Sequence, residues 1–134
     1  MPESQKGLIL IVDDFEANRE LNCFILSNEG FQVDSAIDGQ EALDKTSQLQ
    51  PDLVIMDLSL PDMSGWDVVR RLKSEDKTKH IPIIVLTGHS IEHLESELGC
   101  ERVLMKPCLP DKIVAEVTSV LENRRTAAAG SRPA

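Results

Sequence analysis

The chain of 134 residues suits one domain, and a 41% hydrophobic composition supplies a core without covalent staples. A formal net charge of -9 argues against nucleic acid and anionic lipid as partners, since both need clustered Lys and Arg, and favours a basic protein surface. Cys23, Cys100 and Cys108 are scattered and indicate neither disulfide framework nor zinc site, the polar start Met1–Gly7 has no signal-peptide core, and no apolar run reaches membrane-spanning length, so a reduced, cytoplasmic protein is expected.

Leu8–Val12 (L-I-L-I-V) is a short apolar run rich in β-branched residues, the pattern of a strand covered on both faces. The period then changes: Ala17, Leu21, Phe24, Ile25 and Asn28 fall at helical spacing, with Gly30 as the stop. Gln32–Ala36 reads as a second strand. Asp38 and Glu41 form a capping-box pattern that opens a helix to about Gln48, and Pro51 ends it. Leu53–Met56 is the third strand; Ser64 and Asp67, again at capping-box spacing, start a helix through Trp66, Val69 and Leu72. Ile81–Leu86 (I-P-I-I-V-L) is the fourth strand, Ile91–Leu98 a short helix stopped by Gly99, and Arg102–Met105 a fifth, short strand. Pro110 stands at a first helical position, and Ile113, Val114, Val117, Val120 and Leu121 repeat as one helical face. From Arg124 onward R-R-T-A-A-A-G-S-R-P-A has no large apolar anchor and is expected to fray.

Strict strand–helix alternation implies an α/β domain: a doubly wound five-stranded parallel sheet of flavodoxin-like type, with helices on both faces. Ligands of such sheets bind beyond the carboxyl ends of the strands, where the strand order reverses. Those ends carry Asp13 and Asp14, Asp57, Thr87 and Lys106. Each alone is an ordinary turn former or cap; as a set they are a chemistry. Three crowded carboxylates would repel one another unless a cation neutralises them, and an oxygen-only donor set without His or Cys favours Mg2+. Asp57 can act as a nucleophile that forms an acyl phosphate, with Lys106 and the metal balancing charge on the transferred group and Thr87 donating a hydrogen bond to it.

The segments V-D-D-F-E-A-N-R-E (Val12–Glu20), D-L-V-I-M-D-L-S-L-P-D-M-S-G-W-D (Asp52–Asp67), P-I-I-V-L-T-G (Pro82–Gly88) and L-M-K-P (Leu104–Pro107), in this order, resemble the receiver domains of two-component response regulators, the CheY-like superfamily. The resemblance spans about residues 6–123, leaving 1–5 and 124–134 as flexible termini. It implies that Asp57 is the phosphoacceptor, supplied by a phosphohistidine on a sensor histidine kinase or a histidine phosphotransfer protein. It further implies that Asp14, Asp57 and the backbone carbonyl of Ser59 hold Mg2+ directly, that Asp13 holds it through water, and that Lys106 pairs with the phosphoryl group. A cis Lys106–Pro107 bond would aim Lys106. Thr87 would carry the switch to the face built from the fourth helix, fifth strand and fifth helix, a face through which two copies could also pair. Two departures stand out. Val103 occupies the position where many receivers have Tyr or Phe, and the interval from Thr87 to Lys106 is about one helical turn shorter than usual, implying a shortened fourth helix.

The expected function is a stand-alone, non-enzymatic receiver in two-component phosphorelay signalling, with no DNA-binding output domain and no membrane segment. Its output is contact with a target protein, or else relay of the phosphoryl group to a phosphotransfer protein, acting as a carrier or phosphate sink. The alternative of another class is an aspartyl-phosphate phosphatase, whose common form needs an acid two residues after the nucleophile, where this chain has Ser59. A flavin or nucleotide binder is disfavoured because the first loop, D-D-F-E-A-N, lacks glycine. Four further features read as ordinary surface or packing: His89 and His93 at helical spacing lack a third metal ligand, Trp66 packs partly over its helix start, Lys73–Lys79 is a solvated helix end and loop, and Arg124–Arg125 belong to a polar tail.

Overall fold

The sheet alternates its side chains between two cores. Ile9 and Ile11 of the first strand join one buried cluster, Leu10 and Val12 the other, because successive side chains of a strand point to opposite faces. The computed structural model describes residues 6–88, 100–106 and 108–130. Its strands are β1 (Leu8–Val12), β2 (Gln32–Ala36), β3 (Leu53–Asp57), β4 (Ile83–Thr87) and β5 (Arg102–Met105), all parallel in the order β2-β1-β3-β4-β5. The helices are α1 (Glu16–Asn28), α2 (Gly39–Leu49), α3 (Gly65–Ser74) and α4 (Pro110–Gly130). Leu26 of α1 and Ile113, Val117 and Val120 of α4 cover one face of the sheet; Ala42 of α2 and Val68, Val69 and Leu72 of α3 cover the other. The central strands β3 and β4 are buried along their whole length, which is why they are written as unbroken apolar runs. Edge strand β2 carries Asp34 and Ser35, with Lys45 of α2 donating to the Asp34 carboxylate (3.1 Å) and the Ser35 carbonyl (2.6 Å). This is the doubly wound, flavodoxin-like architecture expected from the alternation of elements.

Several local expectations change. The α1 stripe Ala17, Leu21, Phe24 faces outward: Leu21 is 53% and Phe24 65% exposed, while Asn22 and Leu26 are the buried residues of the helix. Helical period identifies a helix but does not say which face is inside. β4 begins at Ile83 rather than Ile81: Pro82 has no N–H for the ladder, and the Ile81 N–H instead donates to the Thr78 carbonyl. The C-terminal helix runs as far as Gly130, Ala127–Ala129 being strong helix formers, and Arg124 donates to the His80 carbonyl. Trp66 is half-buried against the α2/α3 core. The expected Ile91–Leu98 helix, His89, His93 and Pro107 lie outside the described residues.

The start of α2 follows its capping pattern. Asp38 accepts from the Glu41 N–H (2.8 Å), and the Glu41 carboxylate accepts from the Ile37 N–H (2.7 Å). Asp38→Ala is expected to lower unfolding stability by about 1 kcal/mol, read by urea denaturation. In α3, Ser64 caps through the Trp66 N–H (3.1 Å), and Asp67 pairs with Arg70 instead of reaching back.

Candidate functional site

Register brings the expected residues to one rim. Val12 lies opposite Met56, so Asp13 follows beside Asp57; Asp57 lies opposite Leu86, so Thr87 is next along β4; and Thr87 lies opposite Met105, so Lys106 is next along β5. The Lys106 N–H donates to the Thr87 carbonyl (2.8 Å), which fixes the end of β5 against β4. The strand order reverses at β1 and β3, the switch point at which such sheets bind ligands.

Asp57 is only 4% exposed, yet both carboxylate oxygens are satisfied. Oδ2 accepts from the Lys106 ammonium at 2.9 Å, and Oδ1 accepts from the Ser59 N–H at 3.1 Å. Asp13 is equally buried and accepts from the Phe15 N–H at 2.9 Å, while Asp14 is exposed. One carboxylate oxygen from each of Asp13, Asp14 and Asp57 lies within 4.8 Å of the others. Burial pushes the Asp13 carboxyl up to about 6; the Asp57 charge adds to this, while the Phe15 N–H and the Lys106 ammonium oppose it. Three convergent oxygen donors, one of them pushed toward protonation, fit a hard divalent cation, whose positive charge would let all three stay ionised. Thr87 is buried beside this group, and Ser59 is exposed at the start of the following loop. Val103 is half-buried against the α2/α3 core.

Two participants escaped the sequence reading. Arg19 donates to the Asp13 carbonyl (3.0 Å), tying α1 to the rim, and Asp62 accepts from the α2 backbone, a contact taken up below. Neither has a local pattern, because each partner lies outside its own element. Beside the carboxylates a cavity of about 480 Å3 opens between α1 and α4, lined by Asp13, Asn18, Leu21, Lys106 and Cys108 among others.

Gly65 holds this geometry from behind. A Cβ there would lie 2.6 Å from Leu58 Cα and 2.7 Å from the Asp57 carbonyl oxygen, both backbone atoms unable to yield alone. Gly65→Ala is therefore expected to destabilise by about 2 kcal/mol and to shift the Asp57–Leu58 backbone; a melting temperature equal to wild type would contradict it.

The sequence matches the model of the response regulator receiver domain over residues 9–118. The chain belongs to this receiver family. It is 33% identical over 124 residues to the polar-differentiation response regulator DivK of Brucella anthropi, a match covering 90% of this chain and 98% of that one. Among solved structures it resembles a CheY-like receiver domain protein from Methanospirillum hungatei, with a TM-score of 0.85 at 26% identity, covering 91% of this chain and 98% of that chain. It also resembles the chemotaxis response regulator CheY4 of Vibrio cholerae, with a TM-score of 0.81 at 28% identity, covering 87% and 99%. Receivers are generally non-enzymatic signalling proteins, and this receiver's place is in two-component signalling. Among its described residues no helix is long and apolar enough to cross a membrane.

Proposed function

We propose that residues 6–123 act as a receiver unit in which Asp57 accepts a phosphoryl group from a phosphohistidine of a sensor kinase or phosphotransfer protein. A carboxylate oxygen of Asp57 forms the new P–O bond as the P–N bond to the imidazole breaks, and the imidazole nitrogen keeps the electron pair and takes up a proton. The observation that carries this reading is the buried Asp57 carboxylate, bonded to Lys106 and to the Ser59 N–H among the other acids. Lys106 passes from the carboxylate to the oxygens of the transferred group, and Thr87 donates to one of them. Asp14, Asp57 and the Ser59 carbonyl would hold Mg2+ directly and Asp13 through water, and the bound ion would supply positive charge to the phosphoryl oxygens.

Output by protein contact, whether to a target or to a phosphotransfer partner, is supported by exposed apolar side chains after β1: Phe15, which caps α1, is 60% exposed, and Leu21 and Phe24 of α1 are exposed as well. Incubation with Mg2+ and acetyl phosphate tests the reading: a stoichiometric, labile adduct is expected. Steady turnover of phosphomonoesters would favour the phosphatase alternative, which Ser59 in the place of a second acid disfavours.

A further inference from the structure

The loop from Leu58 to Ser64 joins Asp57 to α3 and carries Ser59. Its ends are fixed by backbone bonds, Leu58 N–H to the Leu86 carbonyl (3.3 Å) and Gly65 N–H to the Leu58 carbonyl (3.0 Å). Its middle is held from another part of the sheet. Asp62 Oδ1 accepts from the Gly39 N–H at 2.7 Å, and Oδ2 accepts from the Gln40 N–H at 3.0 Å. These are the first two residues of α2, whose N–H groups have no partner within the helix. With Asp38 taking the Glu41 N–H, the first three donors of α2 all end on carboxylate oxygens, two of them on Asp62 of the phosphoacceptor loop. The Gly39 N–H, above all, holds the Asp62 carboxyl below its usual range, with its own and the Met63 N–H adding.

Packing repeats the connection. A Cβ on Gly39 would stand 2.4 Å from Met63 Cγ and 2.8 Å from Met63 Sδ, so the Met63 side chain of the loop packs directly on the helix end and would have to swing aside for a methyl group. Two adjacent residues of the loop, Asp62 by hydrogen bonds and Met63 by contact, therefore meet the same glycine.

We propose that Asp62 is a positioning residue for the phosphoacceptor loop: by clamping it to the N-terminus of α2 it fixes Ser59 beside Asp57 and so sets Mg2+ affinity. The proposal rests on the receiver reading above. Asp62 touches neither the metal nor the phosphoryl group; it acts through the loop backbone. Freed of the clamp, the loop samples conformations in which the Ser59 carbonyl leaves the cation, while Asp57 stays anchored in β3 and bonded to Lys106. Binding of the ion must then repay the ordering of the loop, and affinity falls.

The test compares three variants of the full chain by Mg2+ titration calorimetry and by the initial rate of labelling with acetyl phosphate. Asp62→Ala removes the clamp, Asp62→Asn keeps one acceptor oxygen of it, and Asp38→Ala removes the cap on the Glu41 N–H of the same helix. Asp62→Ala is expected to raise the Mg2+ Kd about tenfold and to slow labelling at limiting Mg2+, with most of the rate regained at saturation. Asp62→Asn, which keeps one acceptor oxygen, falls between Asp62→Ala and wild type. Asp38→Ala lowers stability and leaves the Kd unchanged. A purely capping role for Asp62 would instead move the melting temperature in Asp62→Ala and Asp38→Ala alike and leave both Kd values at the wild-type level, which overturns the proposal. Absence of Mg2+ binding and of any adduct in the wild type would overturn the receiver reading itself, an outcome distinct from wild-type binding that Asp62→Ala leaves unchanged.

Discussion

Asp57→Asn is expected to abolish labelling by acetyl phosphate while the protein stays folded. The asparagine keeps the shape of the side chain and its carbonyl oxygen still accepts the Ser59 N–H that Oδ1 accepts now, so the start of the loop is preserved. It loses the anionic oxygen that would attack phosphorus; an amide is a poor nucleophile and makes no stable acyl phosphate. Two electrostatic changes nearly offset each other in stability. The Lys106 ammonium loses a buried partner held at 2.9 Å, and Asp13 loses a like charge that contributes to its raised proton affinity. Intact-protein mass spectrometry after incubation with Mg2+ and acetyl phosphate checks this, with circular dichroism to confirm folding. An adduct of undiminished yield on a folded variant would move the acceptor to another residue.

The companion change, Lys106→Met, separates charge balance from nucleophilicity. Asp57 keeps its attacking oxygen but loses the cation bonded to Oδ2, so labelling slows without being abolished, by an order of magnitude or more on the scale of a lost electrostatic stabiliser. Equal and complete loss in both variants would assign Lys106 a role beyond charge balance.

How far these features were legible in the sequence depends on how locally each is encoded. β1 and β5 have the expected bounds because their apolar runs are short and bracketed by polar residues, and the mixed β2 run Gln32–Ala36 has its expected bounds between Gly30 and the cap Asp38. The rim residues were legible because each stands at the end of its own strand, and parallel order alone brings strand ends together. The facing of α1 was not legible: its buried positions include the polar Asn22, so the apolar stripe pointed away from the core. Asp62 was hidden for a related reason. In L-P-D-M-S-G it has the look of a turn former, and its partners Gly39 and Gln40 lie 23 and 22 residues away in the chain. Local pattern carries local geometry; contacts made across the sheet are decided by the assembled fold.

Stability of the metal-free protein is expected to fall as pH rises from about 4 through about 6, and Mg2+ is expected to remove most of that fall. The Asp13 carboxyl is raised from 3.8 to about 6 in the folded chain, chiefly by burial and then by the Asp57 charge beside it. For an acid whose folded value lies above its unfolded one, folding favours the protonated form. The stabilising contribution is therefore fully present below the unfolded value, near pH 4, and is lost as pH climbs through about 6. A difference of about two pH units corresponds to about 3 kcal/mol in this one group. Above pH 6 the folded state must hold Asp13 ionised next to Asp57, with the Phe15 N–H and the Lys106 ammonium compensating in part. A divalent cation among Asp13, Asp14 and Asp57 favours the ionised forms, so its own binding strengthens over the same interval and stabilises the fold by about 2.7 kcal/mol at a hundredfold excess over Kd. Melting curves at pH 5 and pH 8, with Mg2+ and with EDTA, give four temperatures. The Mg2+-induced rise should be clearly larger at pH 8, and Asp13→Asn should raise the melting temperature in EDTA at pH 8 while leaving it nearly unchanged at pH 4. An equal Mg2+ effect at both pH values would mean that the cation is held without Asp13, and a metal-free protein as stable at pH 8 as at pH 5 would mean that Lys106 and the Phe15 and Ser59 N–H groups suffice to keep the two buried carboxylates ionised.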